Sequence, residues 1–134
     1  MISQQDYKFF DVAKSVAKTS THHKAQIGAI IVYGKEIISV GVNGLKSHPL
    51  QQHYNKLRFD DDRAHHLMHA ELDAVIKGKK YLKSGSRMYV ARTLANGGLG
   101  MCRPCVSCRK MLMDFNIQEI YYTTESGHVF EEFI

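Results

Sequence analysis

Two short groups of residues have the types and spacing of a metal-dependent reaction centre. The first is His-Ala-Glu at positions 69–71, and the second is Pro-Cys-Val-Ser-Cys at positions 104–108. Each group falls where we predict that a helix begins. Imidazole nitrogen and thiolate sulfur together favour zinc, and a carboxylate beside a metal can cycle between base and acid. We therefore predict that His69, Cys105 and Cys108 bind Zn²⁺ and that Glu71 carries protons.

The spacing within each group restricts how its side chains can meet. Residues two apart do not share a face of a regular helix, so His69 and Glu71 can converge only from the first turn. Cys105 and Cys108 are three residues apart and converge more easily. Two helix N-termini would then point at one ion, and their partial positive charge favours thiolates. Three protein ligands leave the fourth tetrahedral position for water, whose pKa zinc lowers to about 7.

The third cysteine leaves two other interpretations open. Cys102 could join Cys105, Cys108 and His69 in a closed Cys3His zinc site. Such a site has no open position, so Glu71 would be a surface charge and the protein a zinc-stapled binding module. A redox-active CxxC pair is the other interpretation. Because all three cysteines lie within residues 102–108, a disulfide framework is not expected.

The segments around these groups predict an α/β fold built on a mixed five-stranded sheet. Predicted helices cover 3–19, 69–77 and 105–115, and predicted strands cover 27–33, 36–42, 87–92, 118–124 and 128–134. Gly78 is predicted to cap the second helix. The segments 45–63, which contains Pro49, and 95–101 are predicted loops. The turn at 125–127 is too short for a parallel crossover, so 128–134 is a frayed tail or an antiparallel last strand; we expect the strand.

Length and composition place the chain among globular proteins. With 134 residues, 44% of them hydrophobic, residues 1–134 are predicted to form one domain. No apolar run approaches the length of about 20 residues that a membrane helix needs, and the cytoplasm is the expected compartment. The net charge of +5 permits an anionic partner such as a nucleotide or a nucleic acid.

Taken together, these motifs resemble those of the cytidine and deoxycytidylate deaminase superfamily. The resemblance covers most of the chain, from the opening helix through Gly-Val-Asn-Gly at 41–44 to the two metal-binding motifs. It implies a three-layer α/β/α fold with helices on both faces of the sheet, zinc ligation by His69, Cys105 and Cys108, and proton transfer by Glu71. It also implies that Asn43 hydrogen-bonds the sugar or base, that the Ala70 amide touches the base, and that the protein is a homo-oligomer. For Asn43, a purely structural role in a turn is the alternative.

The resemblance predicts hydrolytic deamination of a cytosine nucleotide or nucleoside, with deoxycytidylate (dCMP) converted to dUMP and ammonia as the first choice. Histidine as the first ligand is similar to the deoxycytidylate, tRNA-adenosine and polynucleotide branches, whereas the short C-terminal hairpin is similar to the free-nucleoside branch. Deamination of cytosine or adenine in a polynucleotide is the alternative. It would need aromatic stacking platforms, for which the candidates are Tyr54, Phe59, Tyr121 and Tyr122.

Basic residues around the long predicted loop offer two further hypotheses. Four of them could hold a substrate phosphate, although a solvated basic loop is the alternative; they are Lys46, His48, Arg58 and Arg63. His65 and His66 raise the question of a second metal, with solvated or packed histidines as the alternative.

Overall fold

The computed structural model describes residues 2–21, 25–44, 47–56 and 67–133. The helices are α1 (Gln4–Ala17), α2 (Pro49–Asn55), α3 (Ala70–Gly78) and α4 (Val106–Asp114), with a 3₁₀ turn at Lys79–Tyr81. The strands are β1 (Gln26–Tyr33), β2 (Glu36–Val42), β3 (Arg87–Thr93), β4 (Leu99–Gly100), β5 (Glu119–Thr124) and β6 (Gly127–Glu132). No described helix has both the length and the apolar character that crossing a membrane requires.

One mixed sheet organises these elements. Its strand order is β2-β1-β3-β5-β6, and the short β4 pairs with β3. The pair β3–β5 is parallel, and the other pairs are antiparallel. The predicted α/β sheet and its antiparallel last strand are confirmed; the sheet has a sixth strand because the predicted loop 95–101 contains β4.

Strand direction brings two helix starts to one edge of the sheet. Since β1 is antiparallel to both β2 and β3, those two strands run the same way, and β5 runs with them. Their carboxyl ends therefore share an edge. Helix α4 follows β3, and the Gly44 N–H donates to the Met68 carbonyl at 3.1 Å, which holds the start of α3 beside the end of β2. This edge is where open α/β sheets bind ligands.

The alternating side chains of the central strands fill two separate cores. On β1, Ala29 and Ile31 face the core that lies under α3 and α4, whereas Ile30 and Val32 face the core under α1. The central strand β3 alternates in the same way. Helices thus cover both faces, as the three-layer prediction requires.

Two glycines let the helices lie close against the sheet. A Cβ on Gly28 would lie 2.4 Å from the Ala17 nitrogen of α1, and a Cβ on Gly41 would lie 2.3 Å from the Ala74 nitrogen of α3. Both distances are far below van der Waals contact. Only glycine at these positions allows the observed helix–strand spacing.

Helix α2 and Gly78 correct two sequence-based predictions. The segment 45–63 was predicted to be a loop, but it contains α2, in which Pro49 occupies the first turn and the His48 side chain accepts a hydrogen bond from the Leu50 N–H at 3.0 Å. Proline is well tolerated at that position. Gly78 is not a left-handed cap, since its φ is −99°. It is needed because a Cβ there would lie 2.5 Å from Ser39 Oγ.

Replacing Gly41 by alanine tests the close approach of α3. We expect the added methyl group to push α3 off the sheet and to lower the free energy of unfolding by about 1–3 kcal/mol or more. Val40→Ala changes an exposed neighbour on the same strand and should cost about 1 kcal/mol or less. Chemical denaturation measures both values, and equal small losses in the two variants would contradict the packing described here.

Candidate metal centre and reaction pocket

Two metal-ligand candidates occupy the N-cap positions of their helices. His69 precedes α3 and Cys105 precedes α4, both with extended backbone conformations (φ −79°, ψ 153° and φ −70°, ψ 172°). An N-cap side chain ordinarily accepts a hydrogen bond from the first helical turn. Neither of these side chains does so. The two side chains instead approach one another, with Cys105 Sγ 4.0 Å from His69 Nδ1.

The three predicted ligand atoms form one compact group. His69 Nδ1 lies 3.1 Å from Cys108 Sγ and 4.0 Å from Cys105 Sγ, and all three ligand atoms lie within 4.8 Å of one another. Zinc bonds of 2.0–2.3 Å place the ligand atoms of a tetrahedral site about 3.6 Å apart. The donor set and its spacing therefore fit a single zinc ion.

Cys102 is held away from this group by bonds of its own. Its Sγ lies 3.3 Å from the Val90 carbonyl and 3.2 Å from Thr123 Oγ1. Burial raises the pKa of the Cys102 thiol to about 11. Among the described residues, the metal-ligand group contains three members and does not include Cys102. The geometry thus does not support a closed Cys3His site.

The two ligand thiols are electrostatically coupled. The neighbouring Cys108 thiol lowers the pKa of Cys105 to about 3, and the neighbouring Cys105 raises the pKa of Cys108 well above its usual value. Ser107 Oγ lies 2.9 Å from Cys105 Sγ. A cation bound to both sulfur atoms would favour the thiolate form of each.

Glu71 lies beside the metal-ligand group and is almost fully enclosed. Its exposed fraction is 6%, and it follows His69 by two residues, in the first turn of α3. Burial raises the pKa of the Glu71 carboxyl, and the positive field of His69 opposes part of that rise. A carboxyl group in such surroundings is suited to exchange protons with a bound molecule.

A cavity of about 350 Å³ opens onto this group. Five of the residues predicted from the sequence line it, and the buried Cys108 does not; the five are Asn43, His69, Ala70, Glu71 and Cys105. Asn43 has a second role: its Oδ1 accepts from Ser20 Oγ at 2.6 Å and from the Ile27 N–H at 3.0 Å. Asn43 thus lines the pocket and also ties the end of β2 to Ser20 and to the start of β1.

The structure adds two residues that sequence reasoning missed. Arg103 lines the cavity and forms a two-point ion pair with Glu131 of β6, at 2.9 and 3.0 Å. Arg103 directly precedes the Pro-Cys-Val-Ser-Cys motif, and that position could have marked it as a site residue. Gln51 of α2 accepts a hydrogen bond from the His69 N–H at 3.0 Å. No signal was available for Gln51, because its segment was predicted to be a loop.

Other predicted candidates lie elsewhere or outside the described residues. His48 caps α2. The proposed stacking residues Tyr54, Tyr121 and Tyr122 are only 7%, 9% and 6% exposed, so they offer no open ring face to a base. The remaining candidates lie outside the described residues; they are Lys46, Arg58, Phe59, Arg63, His65 and His66.

Comparisons with known proteins agree with this geometry. Residues 3–124 match the family described as the cytidine and deoxycytidylate deaminase zinc-binding region. Deoxycytidylate deaminase of Mus musculus is 29% identical over 132 residues, covering 92% of this chain and 67% of that protein.

Solved deaminase structures share the fold. The dCMP deaminase of cyanophage S-TIM5 has a TM-score of 0.62 at 21% identity, with 94% of this chain and 87% of that chain covered. The cytidine deaminase of Burkholderia pseudomallei has a TM-score of 0.65 at 14% identity, with 94% and 91% covered. On the extent of the family match, the chain belongs to the zinc-binding cytidine and deoxycytidylate deaminase family and is a hydrolytic deaminase.

Proposed function

We propose that the protein hydrolyses the exocyclic amino group of cytosine in a small nucleotide, with dCMP to dUMP and ammonia as the first-choice reaction. The observation that carries this proposal is the His69, Cys105 and Cys108 group beside a cavity whose wall includes His69, Cys105 and Glu71. Three of these residues would hold zinc, and the fourth is a buried carboxyl beside them. This is the residue set of the zinc-dependent deaminases.

Each residue has a distinct part in the proposed reaction. His69, Cys105 and Cys108 would hold Zn²⁺, which supplies the polarisation that makes a water molecule acidic near neutral pH. Glu71 accepts the proton of the attacking water and delivers it to the ring nitrogen next to the amino-bearing carbon. It then takes up the second proton of that water, from the hydroxyl group now on the carbon, and transfers it to the amino group as the carbon–nitrogen bond breaks and the carbonyl forms, so that one water is consumed and one ammonia is released.

Arg103 supports the choice of a monophosphate substrate. It is the single guanidinium or ammonium group among the described residues that line the cavity. Its Nε and Nη2 atoms bind Glu131, and the side chain is half exposed. Glu131 thereby orients the guanidinium, whose remaining N–H groups can bind a phosphate. The mouse relative is named a deoxycytidylate deaminase, and the cyanophage enzyme is described in complex with dCMP and dUMP.

A free nucleoside is the second candidate substrate. Glu131 already offsets the charge of Arg103, and the antiparallel β6 is similar to the nucleoside branch. Polynucleotide deamination has less support, since the described stacking candidates are buried. A homo-oligomer stays a prediction from the family resemblance.

Replacing Glu71 by glutamine should leave zinc bound and remove activity. The amide keeps the shape of the side chain but cannot cycle a proton, so ammonia release should fall by about 10²- to 10⁴-fold. Glu132→Gln, a change at an exposed carboxylate of β6, is the matched control and should keep full activity. Undiminished turnover in Glu71→Gln would remove the assigned role.

Serine substitutions distinguish the cysteines that bind zinc from the one that does not. Cys102→Ser should retain one zinc per chain, because its thiol bonds to the backbone of β3 and to Thr123 and not to the metal-ligand group. Cys105→Ser and Cys108→Ser should each lose zinc or hold it far more weakly. Metal content after gel filtration gives the answer, and loss of zinc from Cys102→Ser would reinstate the closed-site interpretation.

Replacing Arg103 by alanine distinguishes the two candidate substrates. We expect kcat/KM for dCMP to fall about 10- to 100-fold, as for loss of charged hydrogen bonds, while deoxycytidine changes little. Glu131→Gln should lower kcat/KM for dCMP by a smaller factor than Arg103→Ala, because it weakens the ion pair that orients Arg103 and leaves the guanidinium in place. An equal loss for both substrates in Arg103→Ala would show that Arg103 does not bind the phosphate.

The same ammonia assay with single-stranded oligonucleotides as substrates tests the polynucleotide alternative.

A further inference from the structure

Helix α2 carries a buried pair of amide side chains that reaches the metal centre. Gln51 is 1% exposed and Asn55 is 5% exposed. Gln51 Nε2 donates to Asn55 Oδ1 at 2.9 Å, and Gln51 Oε1 accepts from the His69 N–H at 3.0 Å. Burying an amide side chain costs little free energy only when its polar atoms are hydrogen-bonded. Both the Nε2 and the Oε1 atoms of Gln51 have partners.

Gln51 supplies the His69 N–H with a hydrogen-bond acceptor that α3 itself does not offer. The N–H groups at the start of a helix have no acceptor in the preceding turn. The His69 carbonyl begins the helix by accepting from the Asp73 N–H at 3.1 Å, while the His69 N–H points away from α3. Gln51 is the acceptor that satisfies it.

The peptide unit that joins Met68 to His69 makes hydrogen bonds at both of its polar groups. The Met68 carbonyl accepts from the Gly44 N–H at 3.1 Å, and the His69 N–H donates to Gln51. The plane of the Met68–His69 peptide is therefore fixed by two hydrogen bonds from different segments. Together with the His69 φ of −79°, this plane sets the direction of the Cα–Cβ bond and so limits where the imidazole can lie.

Helix α2 is also tied to the helix that carries the two cysteines. The Tyr54 hydroxyl donates to Asp114 Oδ2 of α4 at 2.8 Å. One short helix thus contacts the residue before α3 on one side and the end of α4 on the other. Because Asp114 is the last residue of α4 and the two cysteines lie at its start, the Tyr54 bond anchors α2 without contacting the metal-ligand group.

We propose that Gln51 is a positioning residue for the metal ligand His69, with Asn55 fixing the Gln51 amide. The proposal rests on the zinc site of the proposed function but not on its substrate. Partners that orient a metal ligand without touching the metal typically contribute 10- to 100-fold to metal affinity. A bond to the backbone of the ligand residue acts on the same orientation.

The test compares zinc affinity in Gln51→Met and Tyr54→Phe, two changes on α2. Gln51→Met keeps the volume but removes the acceptor for the His69 N–H, whereas Tyr54→Phe removes the bond to Asp114 and leaves Gln51 in place. Competition with a chromogenic chelator gives the zinc Kd, and thermal unfolding at saturating zinc reports stability. We expect the Kd to rise about 10- to 100-fold in Gln51→Met and to stay within about threefold of the wild-type value in Tyr54→Phe.

An unchanged Kd in Gln51→Met, or an equal rise in both variants, would overturn the positioning role. If Gln51→Met does not fold, Asn55→Ala replaces it, because that change frees the Gln51 amide without removing its contact with His69. A weaker but measurable rise in Kd is then expected, and no rise overturns the proposal. Wild-type protein that binds no zinc would overturn the proposed function as well, so the two failures are distinguishable.

Discussion

The structure depends on two helices beginning at the same edge of one sheet. Strands β2 and β3 run in the same direction because each is antiparallel to β1, so α3 and α4 start near one another. An imidazole at the start of one helix and a thiol at the start of the other then meet across a few ångströms. The pocket and the enclosure of the Glu71 carboxyl follow from that meeting.

Close packing maintains this arrangement. Gly41 allows α3 to approach β2, and the Asp73 carboxylate accepts from the Val42 N–H on the outer edge of that strand at 2.9 Å. Between β3, β4 and β5, Thr123 Oγ1 accepts from the Arg92 N–H at 3.1 Å and donates to the Gly100 carbonyl at 2.9 Å. These contacts fix the chain on both sides of the cavity, so the reacting groups need little rearrangement.

Much of the site could be predicted because its residues lie in two short motifs with narrow chemical uses. His69 and Glu71, and likewise Cys105 and Cys108, are near neighbours in sequence, so their convergence follows from local helix geometry. The hairpin 27–42 and the last strand were predictable for a similar reason: alternation and short turns are local signals.

What could not be predicted depends on contacts between distant segments. Helix α2 has seven residues and little apolar periodicity, and it is stabilised by buried amides and by Tyr54 instead of by an amphipathic face. The pairing of Arg103 with Glu131 spans 28 positions of the sequence, and it exists only because β6 folds back on β5. Gly78 was misassigned because its proximity to Ser39 is a tertiary contact.

X-ray absorption spectroscopy of the zinc-loaded protein tests the central claim most directly. The account predicts two sulfur neighbours at about 2.3 Å and two nitrogen or oxygen neighbours at about 2.0–2.1 Å, one of them from solvent. Three sulfur neighbours with one nitrogen, or a fully protein-ligated ion, would contradict it, because water would then have no position from which to react.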